Sequence, residues 1–162
     1  AAQGRSDIIF LSDSMSPEDV ASLIASSDVL LSPHRAEGFG LPMAEAFLAG
    51  IPALATGWSG NLDFMSDLPE LLIRHTMTPV DDPYRIYKGP SLQWAEPDLN
   101  DAVIKLRALA ASPDLRATLA ARGRSAVEAL AGAWSNEALS NSEWARLADW
   151  RGPDVGATSS RS

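Results

Sequence analysis

The sequence contains no cysteine, only two histidines and two tyrosines, and fewer basic than acidic residues, 13 Lys and Arg against 21 Asp and Glu. Without cysteine there is no disulfide scaffold, no thiolate metal site and no cysteine nucleophile. The net charge of −8 argues against binding along a nucleic-acid backbone, which calls for clustered Lys and Arg. No apolar run approaches the roughly 20 residues that span a bilayer. The opening AAQGRSD has no apolar signal core, so a cytoplasmic protein is expected. What is present is ordinary for a globular domain: 162 residues, 46% hydrophobic and 21% charged.

The apolar runs come in short pieces separated by turn residues. Residues 8–12 (IIFLS), 29–31 (VLL), 53–56 (ALAT) and 71–73 (LLI) have the length and composition of buried strands. Ser16-Pro17-Glu18-Asp19 predicts a helix start, with a capping hydroxyl, proline at the first helical position and acids at the positive end of the dipole. Val20, Leu23 and Ile24 are expected to form its apolar face. Residues 41–49 (LPMAEAFLA) read as a helix that is apolar nearly all round, ended by Gly50 and Pro52. A short helical turn follows near Leu62–Met65. Strand, loop, helix, strand at this spacing predicts an α/β protein with a parallel sheet and flanking helices.

Residues 74–97 are rich in proline and tyrosine and lack periodicity, so an ordered surface loop is expected, with Tyr84, Tyr87 and Trp94 packed in it. Three helices fit the remainder. The first carries Leu99, Val103, Leu106 and Ala110 on one face. The second, Asp114–Ala131, has Leu115, Leu119, Ala126 and Leu130. The third runs from Asn136 to Trp150 behind a Ser135 cap. Residues 1–150 are expected to form one partial domain and 151–162 a disordered tail.

The chemistry concentrates in residues 34–40, His34-Arg35-Ala36-Glu37-Gly38-Phe39-Gly40. A buried strand delivers the chain into this loop and a helix starts at once, the place where open α/β sheets bind ligands. Gly38 and Gly40 permit close backbone approach, and the free amides near Leu41 suit an anion such as a diphosphate. Glu37 precedes the helix and Glu45 lies about one turn inside it, roughly 7 Å along the axis from Gly40. Two carboxylates so placed can reach different parts of one ligand of nucleotide-sugar size. Glu45 is the only charge in residues 41–49, and ribose hydroxyls would satisfy an acceptor-only carboxylate there. On spacing alone the loop is equally a plain turn, and Glu45 an acid facing solvent or an arginine.

The stretch from Ser27 to Met65, SDVLLSPHRAEGFGLPMAEAFLAGIPALATGWSGNLDFM, strongly resembles the C-terminal nucleotide-sugar domain of group 1 (family 4) glycosyltransferases of GT-B fold. Glu37 and Glu45, with seven residues between them, match the E-x7-E motif of that family, and EGFGLPMAEA is its most specific wording. SGNLDFM and the Trp94–Asp98 segment (WAEPD) look like a bacterial subset. The resemblance extends over about residues 8–132.

The resemblance implies a Rossmann-like, donor-binding half of a retaining hexosyltransferase. Such an enzyme moves a sugar from an NDP-sugar to a saccharide or lipid-linked acceptor, with no cofactor and no bound metal. Glu37 would contact the donor sugar as the catalytic-site carboxylate, and Glu45 the ribose. Gly38, Phe39, Gly40 and Leu41 would line the sugar and diphosphate. His34 and Arg35 match residues preceding the motif, Arg35 near a phosphate, and Ser59, Gly60 and Asn61 would offer further donors. Trp58 is expected to be buried.

In the family an N-terminal domain takes the acceptor, and peripheral membrane association of the full enzyme is compatible with a lipid-linked one. This chain begins at what resembles the third strand, after the family's basic diphosphate loop. The sheet is therefore expected to be incomplete at its N-terminal side. In the order 3-2-1-4-5-6, residues 8–12 would lose their neighbours and residues 29–31 one side, and the isolated chain is expected to be inactive. A non-catalytic nucleotide-sugar-binding module, or an epimerase or phosphorylase of the same fold, is the alternative.

Overall fold

The computed structural model describes residues 5–84, 87, 89 and 91–134. The first helix, α1 (Pro17–Ala25), starts as its sequence dictates. Ser16 stays extended and its hydroxyl accepts the Asp19 amide at 3.1 Å, with Pro17 in the first turn. Strand β1 (Leu30–Ser32) leads through the 33–40 loop into α2 (Leu41–Leu48). Gly50, at φ 81°, takes the left-handed conformation that closes a helix at low steric cost. The Ile51 amide returns to the Ala46 carbonyl at 2.8 Å. The chain then enters β2 (Ala53–Thr56), all four residues of which are buried.

The turn α3 (Leu62–Met65) and a 3-10 turn (Pro69–Leu71) lead to β3 (Leu72–Ile73). These three strands form a parallel sheet in the order β1-β2-β3, with Leu31 opposite Leu54 and Ala55 opposite Leu72. The result is a mixed α/β architecture with helices packed on a parallel sheet. Helices α4 (Leu99–Ala111) and α5 (Pro113–Ala133) follow. Asp98 caps α4 through the Asn100 and Asp101 amides, and Ser112 caps α5 through the Leu115 amide. The core lies where α2, α3 and α5 meet the sheet, around Met43, Phe47, Leu54, Met65, Leu71 and Leu119.

Several expectations need correction. Residues 8–12 form no strand, and Ile9 and Phe10 are 81% and 73% exposed. No strand lies beside them among the described residues, and an apolar run without hydrogen-bonding neighbours has nothing to pair with. Among the described residues β1 is accordingly an edge strand, bonded only to β2. Residues 74–97 are not simply a loop: β4 (His75–Pro79) and β5 (Gln93–Pro97) pair antiparallel, His75 opposite Pro97 and Pro79 opposite Gln93. Tyr84 and Tyr87 are exposed, at 85% and 66%, rather than packed.

In α1 only Ile24 is buried, while Val20 and Leu23 lie exposed. Helix α4 is turned from its expected phase. Leu99, Val103 and Ala110 are exposed, and Asp101, Ala102 and Leu109 are buried instead. Trp58 is on the exposed side too. The helix expected at 136–150 and the tail expected at 151–162 lie outside the described residues. Among the described residues, no helix is long and apolar enough to cross a membrane.

Candidate functional site

Strands β1 and β2 are parallel and neighbours, so the loops leaving their carboxyl ends rise side by side. The first loop carries His34 to Gly40 and the second Gly57 to Asn61. They are joined at three levels. His34 lies between the Ser32 hydroxyl, 3.2 Å from Nδ1, and the Trp58 carbonyl, 3.1 Å from Nε2. A carbonyl only accepts, so Nε2 carries the proton in that contact. Next, the Ser59 hydroxyl donates to the Glu37 carbonyl at 2.6 Å and accepts the Glu37 amide at 3.2 Å. Last, the Gly60 amide donates to the same Glu37 carbonyl at 3.2 Å.

Glycine is required at position 60. A Cβ there would stand 2.0 Å from the Gly38 carbonyl oxygen, so the two loops pack backbone to backbone. Ser59 holds φ 81°, the one non-glycine with positive φ among the described residues. For an L-residue that conformation costs about 1–2 kcal/mol.

At the head of α2, Gly40 serves as N-cap at φ 94° with no side-chain capping bond. Its carbonyl accepts the Met43 and Ala44 amides. The amides of Phe39, Gly40 and Leu41 meet no acceptor among the described residues, and these donors lie at the positive end of the helix dipole. Gly40 is buried, and a Cβ on it would reach 2.7 Å from Met43 Cε. Phe39 stands against Phe64 with ring centroids 5.3 Å apart. The Glu37 carboxylate accepts the Gly38 amide at 3.0 Å, leaving its other oxygen open.

Glu45 is exposed and makes no ion pair or side-chain hydrogen bond among the described residues. It stands at the rim of two grooves. One, of about 450 Å³, is lined by Met15, Pro17, Val20, Ile24 and Leu48. The other, of about 410 Å³, is lined by Phe39, Leu41, Leu48, Val127, Leu130 and Trp134.

Glu37, Gly38, Phe39, Leu41, Ser59 and Gly60 therefore form one continuous loop surface, with Gly40 buried beneath it and Glu45 a turn further along α2. The remaining candidates sit differently. Asn61 is wholly buried beneath the loops, its Nδ2 donating to the Thr56 carbonyl at 3.0 Å. Arg35 turns toward β5: Nε lies 2.6 Å from a Glu96 carboxylate oxygen and the guanidinium carbon 4.8 Å from the Trp94 ring centroid. The Ala95 amide also donates to the Arg35 carbonyl at 2.9 Å, which docks the β4–β5 ribbon on the loop. Glu96, within the WAEPD segment, is the site neighbour that sequence reasoning missed.

Comparison with known proteins defines the class. A family model described as Family 4 Glycosyltransferase in conflict systems matches residues 1–136. Two curated relatives share shorter stretches. The MMP alpha-(1->4)-mannosyltransferase of Mycolicibacterium hassiacum is 43% identical over 56 residues, covering 35% of this chain and 14% of the relative. The lipopolysaccharide glucosyltransferase WaaG of Escherichia coli K12 is 36% identical over 63 residues, covering 39% of this chain and 16% of that one. The aligned part is thus a small fraction of either relative's length. No solved structure matches significantly.

The chain is a glycosyltransferase by family. Specifically, it belongs to the family 4 glycosyltransferases of conflict systems.

Proposed function

We propose that this chain is the donor-binding part of a retaining, GT-B-type hexosyltransferase that moves a sugar from a nucleoside diphosphate sugar to a saccharide or lipid-linked acceptor. One arrangement carries the reading. Among the described residues, two carboxylates without ion-pair partners, Glu37 and Glu45, bracket a helix start whose first amides are unengaged. The diphosphate belongs on the amides of Phe39, Gly40 and Leu41. When the bond between the sugar's anomeric carbon and the diphosphate oxygen breaks, negative charge grows on that oxygen. Fixed N–H dipoles lower the barrier there without reorganising.

Glu37 accepts hydrogen bonds from donor-sugar hydroxyls and sets the sugar's orientation over the loop. Glu45 accepts from the ribose, and the apolar groove of Met15, Pro17 and Val20 beside it suits the face of the base. Cationic help for the diphosphate is sparse in this part, because Arg35 is engaged by Glu96. The acceptor, and the N-terminal domain expected to hold it, belong to the same proposal. Hexosyl transfer is supported by the names of the two relatives, a mannosyltransferase and a glucosyltransferase.

Calorimetric titration with UDP, GDP, ADP and their sugars tests the reading. The wild type binds at least one of them, Glu45→Ala loses nucleotide affinity, and Glu37→Ala loses only the extra affinity for the sugar-bearing form. Absence of binding by the wild type at millimolar concentration rejects it for this chain.

A further inference from the structure

We propose that Ser59 is a positioning residue for Glu37, acting through the Glu37 peptide rather than by touching the donor. The inference rests on the donor-site reading above and deepens it. Three observations converge on it. Both backbone polar groups of Glu37 face the second loop: the amide is bonded to Ser59 Oγ at 3.2 Å, and the carbonyl takes the Ser59 hydroxyl at 2.6 Å and the Gly60 amide at 3.2 Å. The Ser59 hydroxyl gives its one proton to the Glu37 carbonyl and so has none to donate to a ligand.

The second observation is backbone strain. Ser59 is held at φ 81°, a conformation in which glycine would be more comfortable. Strain of this kind persists where the surroundings over-determine the residue, and here the bridge to Glu37 and the Leu62 amide on the Ser59 carbonyl at 3.1 Å both restrain it. Third, Gly60 permits the contact, since any side chain there would strike the Gly38 carbonyl. The Glu37 side chain springs from a residue whose amide and carbonyl are both pinned, and its first carboxylate oxygen is turned back to the Gly38 amide at 3.0 Å. The direction of the second oxygen is thereby fixed before a sugar arrives. Preorganisation of this kind improves affinity by removing an ordering cost at binding.

Amide hydrogen exchange on the full chain tests the bridge without any ligand. In Ser59→Ala, the Glu37 and Gly60 amides exchange faster by roughly tenfold or more while α5 is unchanged. Unchanged exchange at Glu37 overturns the proposal. Titration with UDP, UDP-glucose, GDP and GDP-mannose supplies the second arm, read as the ratio of affinities with and without sugar. Ser59→Ala lowers that ratio by roughly tenfold, about 1.4 kcal/mol, and adds nothing in a Glu37→Ala background. A further, additive loss in the double variant shows that Ser59 meets the donor itself, and the proposal fails.

Ser59→Gly removes both strain and hydroxyl. Its unfolding midpoint stays level or rises, while exchange and sugar preference follow Ser59→Ala. Wild-type behaviour in this variant reduces Ser59 to a backbone-shape role and overturns the proposal. If the wild type shows no preference for any sugar nucleotide tried, the donor reading falls, and exchange at Glu37 alone decides whether Ser59 holds that peptide.

Discussion

Two helix junctions hold this molecule together by opposite means. Helix α5 meets α2 mainly through carbon, with one polar tie at the edge, where the Arg124 guanidinium donates to the Leu48 carbonyl. Gly123 faces Phe47 so closely that an added Cβ would stand 2.2 Å from the ring, and Phe47 meets Phe64 edge-on at 6.2 Å. Helix α4 meets the sheet through charge. Asp101 is buried and accepts the Arg74 amide at 2.9 Å, with Arg74 Nε at 3.2 Å and Lys105 Nζ at 3.5 Å. Lys105 in turn donates to the Pro69 carbonyl at 2.8 Å and to the Leu72 carbonyl. The first junction is limited by volume and the second by proton and charge balance. They should therefore fail under different insults.

The largest effect is expected at the first. Gly123→Ala puts a methyl into the Phe47 ring and lowers stability by about 3 kcal/mol, the upper end for overpacking. Chemical denaturation measures it, and adding Phe47→Leu should recover a substantial part. If Gly123→Ala is neutral, α2 and α5 do not pack as tightly as described. At the second junction, Asp101→Asn removes the charge but keeps an acceptor for the Arg74 amide. The expected loss is about 2 kcal/mol, reduced because Arg74 is largely exposed.

The pH dependence separates the two further. Burial pushes the Asp101 carboxyl up. The Arg74 amide and the charges of Lys105 and Arg74 outweigh burial and hold it below its ordinary value. Its folded value is thus depressed. The stability it contributes is fully present above the unfolded carboxylate value, about 3.9, and is lost as pH falls through the folded one. Glu70, held low first by its own backbone amide and then by Arg122 and Lys105 against burial, acts in the same sense. The gap between wild type and Asp101→Asn should therefore close below about pH 4. The deficit of Gly123→Ala should stay flat across that range. Parallel acid titrations of both variants would sink the comparison if their curves kept a constant separation.

The same contrast explains what could be read in advance. The elements whose inward face is carbon were legible: α2 and β2 announce themselves by apolar runs on either side of Gly50 and Pro52, and α5 by spaced apolar residues behind Ser112 and Pro113. The rotation of α4 was not legible, because hydrophobic periodicity favours Leu99 and Val103 while Asp101 and Lys105 take the inward side through partners far away in sequence. Nor was the β4–β5 pairing, whose strands carry polar threonines and terminal prolines and meet across a long connection. Residues 8–12 show the converse error: strand propensity without a neighbouring strand yields no strand. At the candidate site, the position of Glu37 and the glycines in the loop before α2, and of Glu45 within α2, was legible from local wording. The Ser59 bridge and the Arg35–Glu96 pair were not, since each joins residues that only the tertiary fold brings together.

The smallest effect sharpens the comparison from the other side. Arg35 and Glu96 approach to 2.6 Å, closer than any charge pair at the α4 junction, yet their side chains are 49% and 45% exposed. If distance governed, Glu96→Gln would cost more than Asp101→Asn. If burial governs, water and salt screen the pair, and Glu96→Gln costs no more than about 0.5 kcal/mol. The Trp94 ring continues to hold the guanidinium in that variant. Denaturation of the two variants at low and high salt decides. A Glu96→Gln deficit that matches Asp101→Asn and survives high salt would place the ion pair of the loop beside the buried junction as a structural element. A deficit near zero shows that Arg35 can give up Glu96 at little cost to the fold.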